Sequence, residues 1–501
     1  MKKVFLLILS MMSALFSTAQ VYDIVVAKDG SGNFSTIQEA FNAVPTGTTR
    51  TTIFVKKGVY SEKVKLGTMT ASVSKVISLI GENRDSVVIT WNDYNALVGG
   101  TPQSATLTLN ATDFYMENIT VQNPSTAGQA VAIYNVGDRQ TFKNCRLAGF
   151  QDTHYPKKGR RGFYYKTQIE GRTDFICGGG PNYYLQCKIK SVSGGSYITA
   201  PEDVTYKATL STAKTLYYGF IFKDCDLIND GLLSAGSVFL GRPWQNTSGS
   251  VYLNCRLGNH INPLGWYAWN ADITTVSLAE FQSMNAAGTA LFDVSKRVSW
   301  SMQLNATDVN DFLKMTAVYA SLGSSTLYDP ISLVVPPTPV ATVIKNGQNL
   351  QWSVVNGAKG YVVYADGKAL GFTNNGSFID STIRSKTPVY SVCTVGAHGN
   401  LSLPDGSTET VTYGSLNDLA NGTVSVSVTA PKSTNNHLVW VGNGQLNFEN
   451  ATDFSLFDLT GRSVLCGKKV FSENLDGIPH GIYLLRLANN AIGSSQTKIS
   501  L

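Results

Sequence analysis

Thr141-Phe142-Lys143-Asn144-Cys145-Arg146-Leu147 is one copy of a phrase that recurs through the middle of the chain. Tyr183-Tyr184-Leu185-Gln186-Cys187-Lys188-Ile189 repeats it, followed by Phe220-Ile221-Phe222-Lys223-Asp224-Cys225-Asp226-Leu227 and Val251-Tyr252-Leu253-Asn254-Cys255-Arg256-Leu257. A looser copy, Phe114 to Val121, comes earlier. Each sets aromatic or aliphatic residues before an amide or acid, then usually Cys, a polar residue and an aliphatic. Copies spaced roughly 25–45 residues apart indicate stacked supersecondary units. Short strands with Asn or Asp at fixed corners favour a parallel β-helix, where one residue type stacks coil upon coil. A β-sandwich with similar strands is the competing pattern.

Working outward, Tyr22 to Ala27 alternates like a strand and Asp29-Gly30-Ser31-Gly32 reads as a turn. Ser35 is placed to cap a short helix, with Gln38 completing a capping box. Ile37, Ala40, Phe41 and Val44 give that helix one apolar face, suited to covering an open sheet end. Downstream, Thr274 to Met302 reads as more helical, around Leu278-Ala279-Glu280-Phe281, and Asn310 to Leu322 reads as a last helix. Residues 323–339, with Pro336-Pro337-Thr338-Pro339, form an expected linker. The expected organisation is therefore all-β: a parallel β-helix over 20–322, followed by two small β-sandwich domains at 340–412 and 426–501.

Length and composition agree with this. A chain of 501 residues holds two to four domains, and 43% hydrophobic content supports packed cores. A net charge of +6 is no concentrated basic stripe, so nucleic acid is not an expected partner. Residues 1–19 read as a secretory signal: Lys2 and Lys3, an apolar core from Val4 to Phe16, and a small-x-small site at Ser17-Thr18-Ala19. The apolar core is too short to span a bilayer, and no transmembrane segment is expected elsewhere. Export permits disulfides, but stacked free thiols are an equal expectation for Cys145, Cys187, Cys225 and Cys255. No paired CxxC or His cluster points to a metal.

Chemistry concentrates in Gly149 to Gly180, GFQDTHYPKKGRRGFYYKTQIEGRTDFICGGG. Asp152 follows Gln151, and Asp174 precedes Phe175 and Ile176. Carboxylates in apolar company can serve as nucleophile or general acid, because desolvation tunes their proton affinity. Two surface turn aspartates are the bland alternative.

From residue 22 to about 320 the chain resembles the pectin methylesterases, carbohydrate esterases built on a right-handed parallel β-helix. Matching phrases occur in the family's order: Gly58-Val59-Tyr60-Ser61-Glu62, Gln129-Ala130-Val131-Ala132, Gly149-Phe150-Gln151-Asp152-Thr153, Gly171-Arg172-Thr173-Asp174-Phe175-Ile176 and Leu240-Gly241-Arg242-Pro243-Trp244. The resemblance implies Asp174 as nucleophile, Asp152 as general acid/base, and Gln129 and Gln151 as the oxyanion hole. It implies that Arg242 holds Asp174 and contributes to binding, and that Trp244, Tyr134, Tyr155 and Phe175 line the sugar groove. Methyl-esterified homogalacturonan is the implied substrate, with no cofactor and no metal. Tyr60 and Glu62 are read as structural or groove-lining. Cys177 stands where the family usually has Phe, which implies a smaller groove contact. His154, where Leu is common, reads as a loop histidine. The run Lys157-Lys158-Gly159-Arg160-Arg161 reads as a solvated loop that could also attract the free carboxylates of pectin.

The segment 340–412 resembles a fibronectin type III domain through Trp352, the strands at 361–364 and 390–393, and the Asp366-Gly367 turn. The tail resembles the sorting domain of type IX secretion cargo, in the order Asp458-Leu459-Thr460-Gly461-Arg462, Gly481 to Leu487, then Thr497 to Leu501. This implies the type IX machinery as partner, and a monomer secreted by, or attached to the outer surface of, a Gram-negative bacterium. Competing readings are a pectate lyase or polygalacturonase, which share the β-helix, and a non-catalytic carbohydrate-binding or adhesion protein.

Overall fold

The computed structural model describes residues 20–422 apart from 321, 324–325 and 408–409, and beyond these the backbone of the strands Val439–Gly442, Gln445–Phe457, Ser463–Asn474, Ile482–Ala488 and Ser495–Ser500. The expected signal segment 1–19 and the Asp458–Arg462 phrase lie outside the described residues.

Three parallel sheets of eleven, nine and seven strands form a β-helix. One coil runs through Gly162–Tyr165, Gln168–Gly171 and Thr173–Gly178 before the chain returns at Asn182–Leu185. Coils pair in register: Phe163 lies beside Tyr183, Ile169 beside Ile189 and Cys177 beside Ala200. Identical positions therefore stack at the inter-strand spacing. Inside, the rings of Phe142, Tyr164, Tyr184, Phe222 and Tyr252 form a column, with successive centroids 4.8, 4.7, 4.5 and 4.6 Å apart. The four repeat cysteines are buried and unpaired, and their thiols donate to carbonyls of their own or the preceding coil, as from Cys187 Sγ to Tyr164 O.

The corner residue of the repeat explains itself through backbone geometry. Asn118, Asn144, Asp224 and Asn254 all have φ between 48 and 59°. That left-handed conformation is tolerated by Asn and Asp better than by other side chains. Asn144 Nδ2 also donates to Asn118 Oδ1 at 2.7 Å, linking adjacent corners.

Two copies escaped the pattern. Gly162 to Ile169 has Thr167 in the cysteine position, and Ser277 to Met284 has Ser283 there. The second corrects the helical expectation for Leu278–Phe281: Ser277–Phe281 is a buried strand paired with Gly249–Leu253. The expected last helix is two short ones, Ala306–Phe312 and Met315–Ala320. At the other end, the helix Ile37–Ala43 buries Ile37, Ala40 and Phe41 and caps the bore, with the Phe41 ring 6.1 Å from Phe114. Its capping box sits one residue later than expected. Thr36 accepts from Glu39 N and Glu39 accepts from Thr36 N, so Thr36 rather than Ser35 is the cap.

The segment after the β-helix is packed against it. Residues 323–339, read as a linker, carry the short helix Ile331–Val334, whose Ile331 and Val334 are fully buried. Two three-stranded antiparallel sheets then share a core of Leu350, Trp352, Tyr361, Val363 and Val392. The opposite face of one of them, with Val362, Tyr364 and Cys393, buries against Tyr22, Phe54, Ile80 and Tyr115 of the eleven-stranded sheet. Phe372 places its ring 5.5 Å from Tyr22 and 5.1 Å from Phe54. Backbone N–H groups of Ala369 and Leu401 donate to Glu82 and Glu117 of the β-helix. The strands described beyond residue 438 form an antiparallel sheet.

The shared core predicts shared stability. Phe372→Ala removes a half-buried ring and should cost about 2 kcal/mol. Calorimetry should show the main β-helix transition moving down; a shift confined to a separate, smaller transition would contradict the joint core.

Candidate active site

The seven-stranded sheet carries the site on its outer face. Gln129, Gln151 and Thr173 bridge one another on three successive coils, and Asp152 and Asp174 follow the last two. Residues 22 apart in sequence thereby become neighbours. Both aspartates adopt positive φ, 61° and 50°. At Asp174 the ladder also shifts register between Thr173 and Ile176. Such an irregularity re-aims side chains, and here it sends Asp174 to the groove while Phe175 turns into the core. Gly171 makes room for this: a Cβ there would lie 2.2 Å from Phe175 Cβ.

Asp174 is held by a two-pronged contact. Arg242 Nε donates to Oδ1 at 2.9 Å and Nη2 to Oδ2 at 2.6 Å. The guanidinium lies between the rings of Tyr197 and Trp269, 4.0 and 3.9 Å from their centroids. Burial pushes the Asp174 carboxyl above its ordinary value, and the Arg242 contact opposes this.

Asp152 has no cation of its own. Gln129 Nε2 donates to its Oδ2 at 2.8 Å. Burial, then the neighbouring Asp174 charge, push its carboxyl up to about 8. The two carboxylates are thus unequal: their surroundings favour the proton on Asp152 and the charge on Asp174. The Gln129 amide cannot turn over, because its Oε1 accepts from Asn95 Nδ2 at 3.0 Å and Thr101 Oγ1 at 2.7 Å. Its Nε2 is therefore kept on the Asp152 side, with one N–H on Asp152 and a second beyond it to donate.

Aromatic rings continue the groove. Tyr134 and Tyr155 meet edge-on at 5.1 Å, and Tyr155 lies 6.2 Å from Trp244. Trp244 is 42% exposed, which a sugar-stacking ring requires.

The structure brings Gln129, Gln151, Asp152, Asp174 and Arg242 together, with Tyr134, Tyr155 and Trp244 beside them. Phe175 is a correction: it is fully buried in the β-helix core and offers no surface to a ligand. His154 is no loop residue either. It sits in the strand His154–Pro156, fully buried, with Nε2 3.0 Å from Tyr184 OH, and burial pushes its pKa down to about 3. Cys177 is in register with Ala200 and borders the site; burial and both aspartates push its thiol up. The basic run divides: Arg161 is buried and pairs with Asp138, whereas Lys158 and Arg160 are exposed. Tyr60 is buried with its hydroxyl on Lys56 O, and Glu62 accepts from Ile37 N and Gln38 N at the helix start, so both are structural. Asn95, Thr101, Tyr197 and Trp269 were missed. None lies in a motif, and each acts by holding a motif residue.

The Pectinesterase family model matches residues 23–320. Putative pectinesterase 11 of Arabidopsis thaliana is 33% identical over 302 residues, 60% of this chain and 79% of that protein. Pectinesterase/pectinesterase inhibitor 18 of the same plant is 35% identical over 294 residues, and there the match spans 49% of the relative, about half its length. Among solved structures, the pectin methylesterase from carrot matches with a TM-score of 0.52 at 29% identity, over 61% of this chain and 95% of that one. The pectin methylesterase PemA from Erwinia chrysanthemi matches with a TM-score of 0.50 at 26% identity, over 62% of this chain and all of that one. The chain belongs to the pectinesterase family, and with it to the enzymes that hydrolyse the methyl esters of pectin.

Arg242→Gln removes what opposes the burial of the Asp174 charge. The acid limb of the kcat/KM profile should therefore move to higher pH, with the alkaline limb much less affected; an acid limb that stays in place would show that Arg242 does not set the ionisation of Asp174.

Proposed function

We propose that this chain demethylates homogalacturonan through an acyl-enzyme formed on Asp174. The observation that carries the reading is the Arg242-held Asp174 beside an Asp152 bound only by an amide. Ionised Asp174 attacks the ester carbonyl carbon. The C=O electrons move onto oxygen, where N–H donors of Gln129 and Gln151 stabilise the oxyanion. Collapse breaks the bond to methoxide, and Asp152 gives it a proton, so methanol leaves and an Asp174–galacturonoyl anhydride remains. With Oδ2 of Asp152 accepting from Gln129, Oδ1 is left to carry that proton. Asp152, now ionised, takes a proton from water. The resulting hydroxide adds to the galacturonoyl carbon and breaks its bond to Asp174, and the galacturonic acid formed gives its proton to solvent and leaves as the carboxylate. Tyr134, Tyr155 and Trp244 stack on the sugars, and Arg242 serves binding as well as Asp174.

The remaining assignments are part of the same proposal. Residues 340–412 are a fibronectin type III-like domain, a reading supported by two facing antiparallel sheets around Trp352. Export through a signal segment, followed by type IX secretion and release or attachment at the surface of a Gram-negative bacterium as a monomer, is supported by the sequence order of residues 1–19 and of the tail.

Methanol release from methylated pectin tests the mechanism. Wild-type protein should release it, and Asp174→Asn should lower the rate by about 10³-fold or more. Because Asp152 must carry a proton and loses it near 8, kcat/KM should fall about tenfold per pH unit above that value. Unsaturated products in place of methanol would overturn the esterase reading, and a profile flat through pH 9 would overturn the role of Asp152.

A further inference from the structure

Trp244 is exposed, and it stands on a segment without regular structure. Residues 242–248 join the strands Phe239–Gly241 and Gly249–Leu253. A ring on such a segment loses freedom when it binds, and that loss is subtracted from affinity. Here the segment is tied down in advance. Most of the ties converge on residues 201–204, where the neighbouring coil leaves the strand Tyr197–Pro201.

Trp244 N–H donates to Pro201 O at 3.0 Å. Asp203 then makes two ties of its own. Its N–H donates to Gln245 Oε1 at 2.8 Å, and its Oδ1 accepts from Thr247 N–H at 2.8 Å. Val204 closes the bracket: its N–H donates to Thr247 O at 3.1 Å, and its O accepts from Thr247 Oγ1 at 3.2 Å. On the other flank, Asn246 Oδ1 accepts from the N–H of exposed Asp272 at 2.8 Å. The base of the bracket is firm. Val204 is buried, and Glu202 N–H donates to Gly178 O at 2.8 Å. Glu202 Oε1 reaches across Gly179 to accept from Lys158 N–H at 3.1 Å; a Cβ on Gly179 would lie 2.9 Å from that oxygen. The Trp244 segment is thereby fastened to the coils that carry Asp174 and Tyr155.

We propose that Asp203 is a positioning residue: acting through the segment 244–247, it holds the Trp244 ring edge-on to Tyr155 before substrate arrives. The inference rests on reading Trp244 as a sugar-stacking ring. Such a ring contacts the bound sugar in ground state and transition state alike, so the effect of Asp203 falls on KM and not on kcat. Asp203 serves as an acceptor, and its charge is incidental. An amide oxygen in the same place would satisfy Thr247 N–H.

Steady-state methanol release from methylated pectin tests this. Asp203→Ala should raise KM about fivefold with kcat unchanged. Asp203→Asn, which keeps an oxygen for Thr247, should restore most of the wild-type KM. Trp244→Ala should also raise KM, and adding Asp203→Ala to it should raise KM no further, because no ring is left to place. Gln245→Ala removes the other side-chain tie and should act in the same direction; it carries the test if Asp203→Ala does not fold. A wild-type KM in Asp203→Ala, a loss confined to kcat, or effects that multiply in the double variant would overturn the proposal and leave Asp203 a residue of loop stability alone. A wild-type KM in Trp244→Ala would instead overturn the sugar-stacking reading of that ring.

Discussion

Coil-on-coil hydrogen bonding in register is the constraint from which the site follows. The bridges from Gln129 to Gln151 to Thr173 bring residues remote in sequence to within one strand spacing. The Asp152 N–H donates to Thr173 O at 3.3 Å, which adds to the hold of one coil on the next at the two aspartates. The same register stacks the interior rings of Phe142, Tyr164, Tyr184, Phe222 and Tyr252, whose burial makes the coils rigid. A site that depends on two carboxylates differing in charge tolerates little movement between them, and a stack of this kind permits little.

Inequality between the aspartates arises from neighbours, not from the aspartates themselves. Both are buried, and burial pushes both carboxyls above their ordinary value. Arg242 is fixed between Tyr197 and Trp269 and reaches only Asp174. Gln129, fixed by Asn95 and Thr101, reaches only Asp152. A cation favours the charged form far more than a neutral amide does, and this difference is what the proposed roles of nucleophile and acid rest on.

Much of this was legible in the sequence. The Cys-centred phrase gave the β-helix, and the ordered motifs pointed to Gln129, Gln151, Asp152, Asp174 and Arg242. The coils at Thr167 and Ser283 were missed because a hydroxyl residue fills the cysteine place: Thr167 donates to the carbonyl of Tyr165 as the thiols donate to theirs, and Ser283 donates to the Glu280 carboxylate. Phe175 was misplaced because a bulge at Asp174 reverses the alternation expected of a strand, and no linear pattern announces a bulge. The supporting residues Asn95, Thr101, Tyr197 and Trp269 were illegible for another reason: they matter through contacts made across coils. The packed middle domain was hidden by its proline-rich approach, which reads as a spacer until Ile331 and Val334 are seen buried.

The central claim is that one carboxyl of the pair carries a proton at neutral pH and that it belongs to Asp152. Difference infrared spectroscopy of the carboxyl C=O band, with Asp152→Asn and Asp174→Asn to assign it, measures this directly. The account predicts a protonated carboxyl at pH 7 in the wild type that titrates near 8, disappears in Asp152→Asn, and in Asp174→Asn titrates at lower pH because the Asp174 charge that helps raise it is gone. No protonated carboxyl at pH 7, or one that disappears only in Asp174→Asn, would contradict it.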